Sequence, residues 1–77
     1  MTAAALAPLD AALLVAHAAG DGRRLAVLYG EAADTLAADG ELEAACFYWT
    51  QALVFALEAG MQDAERHAAT LRGLGRL

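Results

Sequence analysis

The sequence predicts an all-α protein of four helices running up-down-up-down, antiparallel, over about 8–19, 23–38, 41–59 and 62–72. Three observations point there. The 77 residues include 22 alanines, three valines and no isoleucine, a mixture that favours helix and starves strands of β-branched residues. A single proline, Pro8, leaves the rest of the chain free to be helical. Gly20, Gly40 and Gly60 recur every twenty residues, one helix plus one turn, and joints that short make neighbouring helices antiparallel.

Each element has a local reason. Pro8 suits a first helical turn, where its missing N–H costs nothing, and Asp10 suits the positive end of the helix dipole. Helix 1 therefore starts near Pro8, with residues 1–7 as a flexible lead. Its inner face is Leu9, Ala12, Leu13 and Ala16, while Leu14 and Val15 point elsewhere. Gly20 accepts the left-handed conformation just past a helix end, and Asp21 caps the next helix. Helix 2 carries the stripe Leu25, Leu28, Tyr29, Ala32 and Leu36, with Gly30, Glu31 and Asp34 facing away. Asp39-Gly40 and Ala59-Gly60 repeat the stop. Helix 4 turns Ala64, Ala68 and Leu71 inward with Met61 just ahead of it. Its stripe is thin, so it is expected to be the least stable element. Gly73 and Gly75 loosen a tail over 73–77. The whole reads as one domain, 1–77.

The third helix organises the chain. Leu42, Ala45, Cys46, Trp49, Ala52, Leu53, Ala56 and Leu57 share one face at helical period. The opposite face, where water would demand charge, carries Phe47, Tyr48, Gln51, Val54 and Phe55 instead. A helix apolar all round is normally buried on every side. It is too short for a membrane: the uncharged run, Ala44 to Leu57, is 14 residues, and a span needs about 20. A partner, most simply a second copy of the chain, accounts for the second face. Phe47, Val54 and Phe55 would be buried at a homodimer interface, with Tyr48 and Gln51 near its rim, over roughly 600–800 Å² per chain.

Charge narrows the partners. Ten acids face five arginines and no lysine, a net charge of −5, which disfavours nucleic acid and anionic membranes. Lone Cys46 excludes an intrachain disulfide, and no basic leader precedes an uninterrupted apolar run, so the expected setting is the cytoplasm. No cofactor is expected. Asp63 and His67 stand four apart, but a metal site needs three or four ligands. Glu31 with Asp34, and Asp39 with Glu41 and Glu43, read as solvated carboxylates. Arg23 and Arg24 at a helix start would attract an anion, but Asp21 competes for the same N–H groups.

Residues 26–59 resemble one tetratricopeptide repeat, a helical hairpin of about 34 residues. With Gly40 at the family's turn glycine, Tyr29 takes the first aromatic position, Ala32 and Ala33 the next pair, and Leu36 the following large one. Ala45, Trp49 and Ala52 take the small–large–small positions of the second helix. The family's closing proline would fall at Leu57 and is absent, and Ala33 stands where glycine is usual. The resemblance implies a non-enzymatic protein–protein interaction module. Two alternatives stand beside it: a small-molecule-binding bundle with a pocket of Tyr29, Tyr48 and Trp49, and an accessory subunit of a larger enzyme.

Overall fold

A computed structural model describes residues 3–77, with side chains from residue 7 onward. These residues form four α-helices and no strand: α1 (Ala3–Ala19), α2 (Gly22–Ala38), α3 (Leu42–Glu58) and α4 (Asp63–Gly73). The all-α expectation is met. None of the helices is long and apolar enough to cross a membrane.

One closing motif ends every helix. Gly20, Gly40 and Gly60 adopt φ of 66°, 80° and 67°. The residue after each glycine donates its N–H back across the last turn: Asp21 to the Ala16 carbonyl, Glu41 to Leu36 and Met61 to Ala56, at 3.0, 2.9 and 2.9 Å. This is the six-to-one bond of a Schellman motif, and it satisfies carbonyls that the helix end would orphan. The Asp21 carboxylate caps α2 by accepting from the Arg24 N–H at 3.1 Å.

The ends of the chain depart from expectation. The motif has a fourth copy at Gly75, with φ 74° and the Arg76 N–H bonded to the Leu71 carbonyl at 2.8 Å. The segment expected as a loose tail, 73–77, thus begins with the last residue of α4 and folds into its cap. The Arg76 guanidinium then pairs with the Glu43 carboxylate at the start of α3. At the other end α1 begins at Ala3, so Pro8 lies inside it. Alanines carry the helix past the proline despite the one backbone bond that Pro8 cannot donate. Positions 1 and 2 of the expected flexible lead lie outside the described residues.

Each helix packs on its neighbours in sequence: α1 on α2, α2 on α3 most extensively, and α3 on α4. The Cα trace measures 32 × 32 × 13 Å. A 17-residue helix is about 25 Å long and packed helices lie about 8–10 Å apart, so these dimensions describe four helices side by side in nearly one layer. The core follows the row. Its larger part lies among α2, α3 and α4, around Ala33, Ala45, Trp49, Leu53, Ala56 and Leu71. Its smaller part joins α1 to α2 through Leu13, Ala16, Leu25 and Leu28, with Phe55 packed against both.

The stripes largely match their elements, with two changes. Leu42 and Leu57, expected on the inner face of α3, are exposed at its two ends. Gly30, expected outward, is buried. The His67 ring of α4 takes the space a side chain would need: a Cβ at Gly30 would sit 3.2 Å from Cε1. Asp34, read as solvated, is exposed and also accepts a hydrogen bond from Trp49 Nε1 at 3.2 Å.

Candidate docking groove

Along α1, Asp10, Leu13, Leu14 and His17 recur at helical spacing and share one side. Along α3, Phe47 and Tyr48 come in the second turn. Between them lies Tyr29 of α2. Together these seven residues line a groove of about 360 Å³. Tyr29 is held there from α2, the helix on which both α1 and α3 pack.

Aromatic rings cluster at the His17 end of the groove. The His17 and Phe55 centroids are 5.9 Å apart, edge to face, which ties α1 to α3 directly. Tyr29 lies parallel to Phe55, within 3°, with centroids 5.8 Å apart, and Tyr48 lies 5.8 Å from Tyr29 on its other flank. Such aromatic pairs each add about 0.5–1.5 kcal/mol beyond the area they bury. His17 Nε2 is 3.0 Å from the Tyr29 hydroxyl, which donates to it in the Nδ1–H tautomer. Burial, and then the neighbouring Tyr48, push the Tyr29 phenol up from its ordinary pKa, so it stays protonated. From this ring cluster Asp10 and Phe47 lie about two turns back along their helices.

Two large apolar residues of the lining are exposed. Leu14 is 73% exposed and Phe47 60%, and Phe47 packs edge-on to Tyr48 with centroids 5.6 Å apart. Asp10 has no hydrogen-bond or ion-pair partner among the described residues, and no arginine lines the groove.

The five residues expected at an interface therefore divide. Tyr48 and Phe55 are partly buried within the chain, engaged with Tyr29. Phe47 and Val54 are exposed, and Gln51 is half-buried. Of the pocket imagined from Tyr29, Tyr48 and Trp49, the tyrosines are present and Trp49 is not, because its indole belongs to the core. Of the other repeat-motif positions, Ala32, Ala33, Leu36, Ala45 and Ala52 are buried, and Gly40 is exposed at its turn. Asp63 pairs with Arg66 at 3.4 Å rather than with His67. Arg23 donates to the Ala59 carbonyl at 3.2 Å, a helix-end contact.

Sequence reading missed Asp10, Leu14 and His17 as groove residues. Their signal was present as a second stripe on α1, opposite in character to the core stripe, but nothing local says that α3 faces it. The groove offers aromatic faces, aliphatic walls and one carboxylate, which can hold an apolar group beside a cation. No family model matches the chain, and neither does any curated protein or solved structure.

Proposed function

We propose that the protein is a non-enzymatic interaction module that works through the exposed apolar side of α3 and the adjoining side of α1, by self-association or by docking a protein partner. The observation that carries this reading is the exposure of Phe47 and Leu14 on the two walls of one aromatic groove. Exposed apolar residues scattered singly need no explanation, but large ones gathered in a concave surface mark an interaction site. Aromatic residues are also those enriched in interface cores.

The proposed architecture is an antiparallel, tetratricopeptide-like hairpin of α2 and α3, flanked by α1 and α4. Two contacts favour it. Arg23, at the start of α2, reaches the carbonyl just past α3, and Arg76, after α4, reaches Glu43 at the start of α3. The buried alanines of α2 and α3 fit the close helix approach that such hairpins need. The proposed setting is the cytoplasm, in keeping with a free, buried Cys46.

Light scattering on the purified chain across a hundredfold dilution tests the reading, with Phe47→Glu beside it. A dimer that Phe47→Glu converts to a folded monomer supports self-association. A monomer directs the reading to a separate partner. A small-molecule-binding bundle is the second reading, favoured by a groove volume within the roughly 300–1,000 Å³ of ligand pockets. A monomer whose groove saturates with small aromatic ligands, and for which Phe47→Glu changes no protein contact, would replace the first reading with it.

A further inference from the structure

The groove has a chemistry that selects its occupant. We infer that it seats one amphipathic helix of another protein, with aliphatic residues along one stripe and a Lys or Arg placed to meet Asp10. This rests on the interaction reading above and adds the class of partner.

The shape fits a helix. Walls from α1 and α3 stand over a floor supplied by Tyr29, and at the His17 end the edge-to-face contact of His17 with Phe55 ties the two walls together. Helices dock in such grooves by anchors at i, i+3 or i+4, and i+7. Leu14 and Phe47 face those anchors from the two walls, and the volume of about 360 Å³ admits a few aliphatic side chains.

The charge fits a cationic partner. Asp10 is the sole carboxylate in the lining, it has no partner among the described residues, and no arginine of this chain shares the groove. The chain as a whole carries −5 and no lysine. Complementary charge of this kind sets orientation and speeds encounter.

A second copy fits less well. It would bring −5 against −5. The isolated chain is also not short of burial: its surface of 4444 Å² is close to the roughly 4,450 Å² typical of a folded monomer of this mass. The apolar lining is thus a local feature of a chain that already closes its own surface, as expected for a site that is filled and vacated.

The test uses two labelled synthetic helical peptides in fluorescence anisotropy. One carries leucines at i, i+3, i+4 and i+7 with flanking lysines, and the other replaces every lysine by glutamate. The lysine peptide is expected to bind at least tenfold more tightly. Leu14→Glu is expected to weaken it at least tenfold, the loss typical of a hot-spot anchor. That variant adds negative charge, so nonspecific attraction would predict the opposite. Asp10→Asn is expected to weaken it up to about fivefold, with a shallower salt dependence. Leu57→Glu, 64% exposed and outside the groove, is expected to leave it unchanged. Thermal melts confirm that these exposed variants stay folded.

Equal binding of both peptides, or binding indifferent to Leu14→Glu, overturns the inference. So does a dimer that Leu14→Glu dissociates, because the occupant is then a second copy. Binding lost in Leu57→Glu but kept in Leu14→Glu moves the occupant to another part of α3. That result overturns the groove proposal while leaving the interaction reading intact.

Discussion

His67 is the one polar side chain among the described residues that is fully buried, 2% exposed. Burial pushes its pKa below the ordinary 6.5, helped by Arg66; Asp63 and Asp34 act the other way without prevailing. The folded state therefore prefers the neutral ring. Above pH 6.5 neither state is charged there and stability is full; as pH falls from 6.5 through the lowered folded pKa, the unfolded chain takes up the proton first and stability is lost. Urea midpoints are expected to fall between pH 7 and 5 and to fall less in His67→Phe. Glu43, held low by Arg76, acts only at and below its ordinary 4.5, so the two windows separate. A slope unchanged by His67→Phe would show that another group is responsible. Trp49 makes a second residue-scale case, since among the described residues its indole N–H donates to Asp34. Asp34→Ala strands that donor at a cost of about 1–3 kcal/mol, whereas Asp34→Asn keeps an acceptor and is expected to cost less. Trp49→Ala is expected to cost about 3–5 kcal/mol, which leaves little of so small a domain's stability. Circular dichroism during denaturation ranks the three variants.

At the scale of elements, α4 is keyed to α2 by an absence, the missing side chain of Gly30. Gly30→Ala gains about 1 kcal/mol of helix propensity but sets a methyl 3.2 Å from a buried ring with little room to retreat. The substitution is therefore expected to stabilise His67→Ala by about 1 kcal/mol and to give no such gain in the natural chain. A double-mutant cycle measures that difference, and additive effects would mean that the two helices are not keyed there. This lock also shows what one sequence conceals. Stops at Gly20, Gly40 and Gly60, the Asp21 cap and the inner faces of α1 and α2 are local signals, and they were legible. Gly30 carries no hydropathy, so a helical wheel sends it outward; only His67, 37 positions on, turns it inward. Pro8 misled for a local reason, because a proline at a first turn is commoner than one that an alanine-rich lead carries through. Gly75 misled because two nearby glycines read as looseness when one of them closes a motif already seen three times. Of the candidate site, Tyr29 of α2 and the α3 aromatics Phe47 and Tyr48 were legible; the rest depends on α1 and α3 meeting across α2, which no spacing within either helix reveals.

As a whole, the molecule is a row, and a row opens from its ends. In an array where each helix touches mainly its chain neighbours, stability is close to a sum of neighbouring interfaces, and local openings take the weakest first. The α2–α3 interface is the largest and holds the tightly packed alanines, so those helices set the upper limit. The two ends differ. α4 contributes Ala64, His67 and Leu71 to the core, its cap extends to Arg76, and Arg76 reaches back to α3. Among its residues with described side chains, α1 buries fully only Leu13 and Ala16, with Leu9 and Ala12 partly covered, and Pro8 removes a backbone bond from its middle. Packing therefore reverses the order that composition suggests: α1 is expected to open first, α4 next, and α2 with α3 last. Native-state hydrogen exchange resolves that order helix by helix. Exchange of α4 ahead of α1 would return the argument to the thinness of its apolar stripe, and simultaneous exchange of all four would mean that the row unfolds as one unit. The order also bears on docking, since α1 is one wall of the groove. If α1 is the loose edge, an occupant that needs this wall in place binds the closed form and shifts the opening equilibrium by mass action. A saturating groove peptide is then expected to slow exchange in α1 far more than in α4. Equal slowing at both ends would mean that the peptide stabilises the row without using that wall.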